Sequence, residues 1–291
     1  WLINLWISEF GRDKTEDLCA WFNEQPKLTA RINTILIDIP QCLTMLNEQG
    51  WAVTQDSNYE DIIYINSHRG SLEKSEAFIK GYITFMDKAS MLVARLVNPQ
   101  PGERILDCCA APGGKSMYMA TLMDNVGSLM SCDIHEHKIE LMNSNADRLG
   151  ASIVHTKVQD ATKLPDSWNS YFDRVLVDAP CSGLGILQKK LDMRWRKQES
   201  ILRELPPLQL AILERAAMTV KEKGYLIYST CTLNYKENEE VVESFLQKHK
   251  EFSIIPVVED FPLKSNSGMI TTYPPTDDMD GFFMVKMQRI S

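Results

Sequence analysis

Short apolar runs alternate with longer segments of helical spacing from about residue 102 to the end of the chain. The runs are typical of strands, and the segments between them repeat apolar residues at the spacing of a helix with one buried face. The predicted strands are RILDCC (104–109), SLMSCD (128–133), SIVHTKVQD (152–160), DRVLVDAP (173–180), YLIYSTC (225–231), FSIIPVV (252–258) and GFFMVKM (281–287). This alternation predicts an α/β fold in which helices cover a mostly parallel sheet of seven strands.

The segments between the strands carry signals for where helices begin and end. EHKIELMNSNADRLG (136–150) closes on Gly150, a residue type that favours the left-handed turn after a helix. PPLQLAILERAAMTVKEKG (206–224) predicts a long helix that ends at Gly224. Asn234 and Glu237 resemble a capping box for the helix that follows them.

Residues 1–90 have a different pattern and predict a separate, small α+β domain. Helices are expected at 13–24 and 40–49, a strand at 29–36, and short strands near 51–54 and 62–66. Residues 91–291 then form the larger, Rossmann-like domain.

Composition narrows the class of protein. The 44% apolar and 24% charged residues are typical of a soluble chain, and no apolar stretch is long enough for a membrane span. The seven cysteines form no CxxC pair, which argues against a disulfide framework and a structural zinc site and favours a cytoplasmic protein without a metal. The opening WLINLWISEF has no signal-peptide features, and the chain starts on Trp1 rather than Met, so we expect it to be a fragment.

The turn after the first strand, CCAAPGGKS, predicts a ligand pocket. Its small residues allow a ligand to approach the backbone closely, although it contains neither GxGxxG nor GxxxxGK[ST]. The next three strands end on Asp133, Asp160 and Asp178, and the carboxyl ends of parallel strands share one edge of a sheet. One aspartate alone is more often a cap, but three in register suit the hydroxyls and amine of a nucleoside. We therefore predict S-adenosylmethionine as the cofactor.

Two cysteines end neighbouring predicted strands. Cys181 follows the fourth strand and Cys231 closes the fifth, so both are expected just beyond the same sheet edge. A thiolate there could add to carbon 6 of a cytosine and make carbon 5 nucleophilic toward a methyl donor. The alternative is that both are small buried residues, the fate we predict for the other five, namely Cys19, Cys42, Cys108, Cys109 and Cys132.

Three motifs, LDCCAAPGGKS, VLVDAPCSGLG and LIYSTCTLNYKENEE, resemble the RNA (cytosine-5) methyltransferase family, in particular its RsmB-type (Sun/Fmu) branch that acts on 16S, small-subunit ribosomal RNA. The resemblance extends over nearly the whole chain and implies a class I S-adenosylmethionine-dependent fold. It implies that Cys231 is the nucleophile, that Cys181 assists product release, and that Asp178 lies near the target base. DNA cytosine methyltransferases place the nucleophile in a Pro-Cys pair, which would have pointed to Cys181 instead. The cofactor residues that it implies are Cys109, Ala110, Ala111, Pro112, Gly113, Gly114, Lys115, Asp133, Asp160 and Asp178.

The resemblance makes RNA the expected partner, although the net charge of −8 is unusual for an RNA-binding protein. RsmB-type proteins carry an N-terminal NusB-like domain that this sequence lacks. The small domain is expected to bind RNA or act as a linker, with Arg31 and Asn33 at the RNA. A basic run after Cys181 could reach RNA phosphates, with a tryptophan to stack on a base, or could be only a solvated helix face; its residues are Lys189, Lys190, Arg194, Trp195 and Arg196.

Other functions remain open from the residues alone. A cytosine methyltransferase acting on tRNA, another RNA or DNA would use the same chemistry. An assembly factor that binds rRNA without turnover would need neither cysteine, and a methyltransferase for small molecules or proteins would leave the cysteine pair unexplained.

Overall fold

Two β-sheets organise the chain in the computed structural model, which describes residues 1–257 and 261–290. The helices are α1 (Leu2–Phe10), α2 (Arg12–Asn23), α3 (Ile39–Glu48), α4 (Glu76–Ile79), α5 (Lys88–Val97), α6 (Gly114–Leu122), α7 (Glu136–Leu149), α8 (Met193–Arg196), α9 (Ile201–Ala217), α10 (Glu239–Lys248) and α11 (Pro274–Asp277). The strands are β1 (Thr29–Ile32), β2 (Ala52–Gln55), β3 (Ile62–Ser67), β4 (Ile83–Phe85), β5 (Arg104–Asp107), β6 (Ser128–Asp133), β7 (Val154–Val158), β8 (Phe172–Asp178), β9 (Val220–Thr230), β10 (Phe252–Ile254), β11 (Met269–Thr271) and β12 (Phe283–Arg289).

The smaller sheet has the order β2-β3-β1-β4, and all of its strand pairs are antiparallel. Its core includes Ile32, Leu46 and Ile63, so α3 packs on one of its faces. The helices α1 and α2 lie apart from this core and pack instead against Leu184, Leu187 and Leu233 of the larger part. The division of the chain at residue 90 stays a prediction.

The larger sheet has the order β10-β12-β9-β8-β5-β6-β7, with β11 paired to β12. The five strands from β9 to β7 are parallel, and β12 and β10 add antiparallel pairs at one side. The central residues of β8 are buried, as expected for parallel strands covered by helices on both faces. The predicted class, a Rossmann-like α/β fold with a small N-terminal α+β part, is confirmed.

Two helix ends test the sequence predictions. Gly150 follows α7 with φ 65°, as predicted for a helix C-terminus. The prediction for 206–224 is wrong at both ends, because α9 begins at Ile201 and ends at Ala217. Val220 already pairs with Phe172 of β8, so residues 220–224, which were predicted to be helical, belong to β9 instead.

The end of the chain was predicted to supply two strands. Phe283–Arg289 forms β12, and Phe252–Ile254 of the stretch FSIIPVV forms β10, whereas Val258 lies outside the described residues. Within residues 1–257 and 261–290, no helix has the length and apolar content that crossing a membrane requires.

Candidate active site

The carboxyl ends of the parallel strands meet where the chain order reverses. The chain runs from β5 outward through β6 to β7, then returns to β8 on the other side of β5 and continues to β9. The crevice between β5 and β8 is therefore the switch point at which open α/β sheets bind ligands. The cysteine-rich turn, three predicted carboxylates and both strand-end cysteines follow strands that end at this edge.

The turn after β5 is tied down by its own backbone. Cys108 N–H donates to Leu176 O (2.9 Å), Ala110 N–H to Cys132 O (2.7 Å), and Gly113 N–H back to Ala110 O (2.7 Å). Gly113 has φ 100°, a conformation that favours glycine, and it caps the N-terminus of α6. The turn and the N-terminus of α6 thus lie at the carboxyl end of β5, beside the switch point.

Asp107, the last residue of β5, is a site residue that the sequence analysis missed. It is fully buried, and its Oδ2 accepts from Ser116 Oγ (2.7 Å), which in turn accepts from Ser131 Oγ (2.9 Å). Its Oδ1 is buried with no hydrogen-bond partner among the described residues. Burial, with the nearby Asp178 charge adding to it, raises the pKa of Asp107 to about 7. The sequence analysis extended this strand to Cys109, whereas β5 ends at Asp107, so an aspartate at the end of a strand was overlooked.

Asp133 is the last residue of β6 and Asp160 lies two residues after the end of β7, so both are at the carboxyl edge of the sheet, as predicted. Asp133 is largely buried, accepts from His135 N–H (3.0 Å) and lies 3.6 Å from Lys138 Nζ. Asp160 accepts from the Thr162 hydroxyl (2.6 Å) and N–H (2.9 Å), and these bonds lower the pKa of its carboxyl. Both carboxylates therefore order the turns that follow their strands.

Asp178 and Lys115 form an ion pair in the middle of the edge. Lys115 Nζ lies 2.7 Å from Asp178 Oδ2, and Ser229 Oγ donates to Asp178 Oδ1 (2.7 Å). Burial alone would lower the pKa of Lys115, but the Asp178 charge more than offsets it, so the pKa is raised. The ion pair joins the start of α6, which follows the CCAAPGGKS turn, to the end of β8.

The two cysteines are in contact, as expected if β8 and β9 are neighbours. Their Sγ atoms lie 3.1 Å apart, and Cys231 N–H donates to Cys181 Sγ (3.3 Å). Both residues are only partly buried. The hydrogen bond to Cys231, followed by burial, raises the pKa of Cys181 well above its usual range. Cys42, Cys108 and Cys132 are buried as predicted, whereas Cys19 and Cys109 are half-buried, which corrects that part of the prediction.

The basic run after Cys181 is only partly a free surface. Lys189 is held by the carboxylates of Asp87 and Asp280, the latter at 3.0 Å. Arg194 is bonded to Phe22 O and to Asn23 Oδ1 of α2. Both side chains are therefore held by other parts of the protein, and contact of the run with RNA stays a prediction.

The rest of the run is exposed. Trp195 is 88% exposed, and Lys190 and Arg196 lie in solvent on either side of it in sequence. Arg196 makes an ion pair with Asp192 at 3.4 Å.

Arg31 and Asn33 are both 0% exposed and lie between the small sheet and α6 and α7. The expectation that they contact RNA is therefore wrong, since neither reaches the surface.

A doubly wound sheet with a glycine turn, strand-end carboxylates and a thiol pair at one edge defines a nucleoside-binding α/β enzyme fold. The chain belongs to the 16S rRNA methyltransferase RsmB/F family, whose model matches residues 94–288. A second model, the ferredoxin-like domain of RsmF/B-like methyltransferases, matches residues 1–70.

Individual relatives agree with this assignment. The probable ribosomal RNA small subunit methyltransferase B of Bacillus subtilis (strain 168) is 37% identical over 99% of this chain and 66% of its own length. The protein of the same name from Synechocystis sp. (strain ATCC 27184 / PCC 6803 / Kazusa) is 36% identical, with the same coverage of both chains, 99% and 66%. The solved structure of PH0851 is 32% identical with a TM-score of 0.93, and the match covers 99% of this chain and 65% of that one. The chain thus spans about two thirds of the length of these relatives.

Proposed function

We propose that the protein methylates carbon 5 of a cytosine in small-subunit ribosomal RNA, with S-adenosylmethionine as methyl donor and a covalent cysteine adduct at carbon 6. The observation that carries the proposal is the pair of sulfurs 3.1 Å apart at the switch-point edge, beside the Asp178–Lys115 pair. The relatives named ribosomal RNA small subunit methyltransferase B support the same substrate.

The cofactor-type crevice fits S-adenosylmethionine, which supplies an electrophilic methyl group when bound. Asp107 Oδ1, buried without a partner among the described residues, is an acceptor for an ammonium group. Asp133 can accept from ribose hydroxyls, and Ile134, 58% exposed, offers an apolar contact to a base ring. The remaining contacts fall to the turn and strand-end residues, namely Cys109, Ala110, Ala111, Pro112, Gly113, Gly114, Lys115, Asp160 and Asp178.

The hydrogen bonding of the two thiols supports Cys231 as nucleophile. Cys181 keeps its proton because its pKa is raised, so its S–H can donate to Cys231 Sγ and stabilise a thiolate there. That thiolate adds to carbon 6 of the cytosine, which turns carbon 5 into a nucleophile for the methyl group. A base then removes the carbon-5 proton, the sulfur–carbon bond breaks, and Cys231 leaves as a thiolate that Cys181 again stabilises.

Asp178 is proposed to orient the target base. Its carboxylate is 25% exposed and can accept from the exocyclic amine of cytosine while it remains bonded to Lys115. Asp178 therefore borders both the cofactor-type turn and the thiols.

The exposed part of the basic run is proposed to hold RNA next to the cysteines. Lys190 and Arg196 can meet phosphates, and Trp195 can stack on a base. Lys189 and Arg194 are left out of this surface because Lys189 is ion-paired with Asp87 and Asp280 and Arg194 is hydrogen-bonded to α2. Arg196 is kept because its ion pair with Asp192 is exposed to solvent. We also propose a cytoplasmic location, because seven cysteines without a CxxC pair suit a reducing compartment.

A trapping experiment tests the reaction. The chain and S-adenosylmethionine are incubated with small-subunit rRNA that carries 5-azacytidine, and a denaturing gel reports covalent adducts. We expect an adduct with the natural sequence, none with Cys231→Ala, and a retained adduct with Cys181→Ala. Cys19→Ala, another half-buried thiol, is the control and should behave like the natural sequence.

Other outcomes would change the proposal. An adduct that depends on Cys181 would overturn the nucleophile assignment. An adduct formed with tRNA in preference to rRNA would change the substrate. If the natural sequence binds rRNA and S-adenosylmethionine but forms no adduct, the assembly-factor function would replace the methyltransferase.

A further inference from the structure

Glu237 is a carboxylate buried beneath the two cysteines, and the proposed reaction gives it no role. It is 0% exposed and ends a 3₁₀ turn, Tyr235–Glu237, that follows Cys231. The sequence suggested a capping box with Asn234, in which the Glu237 side chain would bond the Asn234 N–H. The structure instead points the carboxylate at the loop that carries Cys181.

Each carboxylate oxygen of Glu237 accepts two hydrogen bonds. Oε2 accepts from Ser182 N–H (2.8 Å) and from Gln209 Nε2 (3.0 Å). Oε1 accepts from the Ser182 hydroxyl and from Asn234 Nδ2 (2.8 Å). Ser182 directly follows Cys181, and Asn234 lies three residues after Cys231. The carboxylate therefore joins the two cysteine loops through bonds that have no water in competition.

Further contacts fix this junction to rigid parts of the fold. Tyr228 OH donates to the Glu237 carbonyl (2.6 Å), which anchors the turn to β9. Gln209 of α9 also donates to Pro180 O (2.9 Å), on the other side of Cys181. The hydroxyls of Ser182 and Thr232 lie 2.7 Å apart, so the loops also meet directly.

We propose that Glu237 is the positioning residue that sets the placement of Cys181 against Cys231, with Asn234 as its matched partner. This inference rests on the proposed function, because it assigns Glu237 to the same thiol pair. Glu237 does not touch the reacting atoms; it acts through the backbone of Ser182 and the side chain of Asn234.

The donors around Glu237 predict how substitutions behave. In Glu237→Gln the amide oxygen must face the Ser182 N–H, because a backbone donor cannot reverse. The amide NH2 then faces the Asn234 NH2, so one bond is replaced by two opposed donors. Asn234→Asp alone places the new carboxylate against that of Glu237, so two acceptors face each other without a donor. Glu237→Gln combined with Asn234→Asp restores a donor facing an acceptor, with the two groups exchanged.

The experiment is a double-mutant cycle on the rate of adduct formation with 5-azacytidine rRNA. We expect each single variant to lose about 10- to 100-fold in rate, since small misplacement of reacting groups costs that much. The double variant should recover most of the loss, and S-adenosylmethionine affinity should stay unchanged in all three. Glu240→Gln, an exposed glutamate in the same segment, is the matched control and should not change the rate.

A second readout needs no RNA. Diamide takes two electrons and two protons from Cys181 and Cys231 to form a disulfide, and is itself reduced to the hydrazine; peptide mass mapping reports the rate. The single variants should slow this reaction and the double variant should restore it. Ser182→Ala, which removes one of the four donors, serves as a milder variant if a single substitution prevents folding.

The outcomes separate this inference from the proposed function. The positioning role would be overturned if Glu237→Gln formed the adduct and the disulfide as fast as the natural sequence does. It would also be overturned if the double variant were no faster than the slower of the two single variants. A natural sequence that forms no adduct, but whose disulfide rate follows the cycle, would reject the methyltransferase chemistry and retain the positioning.

Discussion

The carboxylates at the sheet edge show how position decides the charge of a residue. Asp107 ends β5 and Asp160 lies just beyond β7, yet burial raises the pKa of Asp107 to about 7, whereas hydrogen bonds from Thr162 lower the pKa of Asp160. Asp107 therefore holds a proton under conditions where Asp160 is fully ionised. A cationic group in the crevice would favour the ionised form of Asp107.

Asp107→Asn tests this at the residue scale. The folded protein keeps the Asp107 proton up to about pH 7, while the unfolded chain loses it near the ordinary value of 3.8. The contribution of Asp107 to the unfolding free energy should therefore fall as pH rises from about 4 to about 7, by at most about 1.4 kcal/mol per pH unit. Asparagine does not titrate, so the variant should gain stability relative to the natural sequence over this window.

Urea unfolding at pH 5, 6 and 7 measures the difference, in which other titrating groups cancel. Asp17→Asn, an exposed aspartate on α2, is the control and should show no such trend. A stability difference for Asp107→Asn that does not change with pH would show that Asp107 is already ionised when the protein is folded.

At the element scale, the short helix α8 is attached to α2 through one side chain and exposes another side chain to solvent. Arg194 binds the helix to α2, whereas Trp195 is 88% exposed. Such an anchored helix can present an aromatic ring without losing order when the ring has no partner.

Trp195→Ala should therefore affect binding rather than folding. Stacking of one base on an aromatic ring is worth about 1–3 kcal/mol, so the affinity for the rRNA fragment should fall about 5- to 150-fold. The thermal midpoint should stay within about 1 °C, because little surface is buried. Fluorescence anisotropy with labelled rRNA measures the affinity, and Leu141→Ala, an exposed side chain on α7, serves as control. Unchanged affinity would leave α8 as only a solvated helix face.

The sequence predicted the elements better than their junctions. Hydrophobic spacing placed β5, β6, β8 and β9, because runs of buried residues in these strands leave a local signal. It also placed β7, whose residues are partly or fully exposed. It placed the α9–β9 boundary wrongly, because Val220 is fixed by pairing with Phe172 far away in sequence. The same reason hid the partner of Glu237, which is Ser182, and the carboxylates that hold Lys189. Contacts between segments that are distant in sequence produce no hydrophobic periodicity, so they cannot be predicted from the spacing of apolar residues.

At the scale of the whole molecule, buried polar residues join the two sheets. Asn33 Nδ2 donates to Gly81 O and to Leu149 O, both at 2.9 Å, so it ties the small sheet to the end of α7. The contact is close: a Cβ on Gly81, which has φ 73°, would lie 2.0 Å from Arg148 O. Helix α7 also supplies Met142, which lies next to Gly113 in the turn after β5. The small sheet therefore supports that turn through α7.

Asn33→Ala should therefore destabilise the protein as a unit. The substitution leaves two buried carbonyls without this donor, at about 1–3 kcal/mol for each. Urea unfolding should keep a single transition, since the buried interface couples both sheets, but its midpoint should move to lower urea. Asn4→Ala, at an exposed position of α1, is the control and should leave the midpoint in place. Two separate transitions, or an unchanged midpoint, would show that the small sheet folds independently and that Asn33 does not couple it to α7.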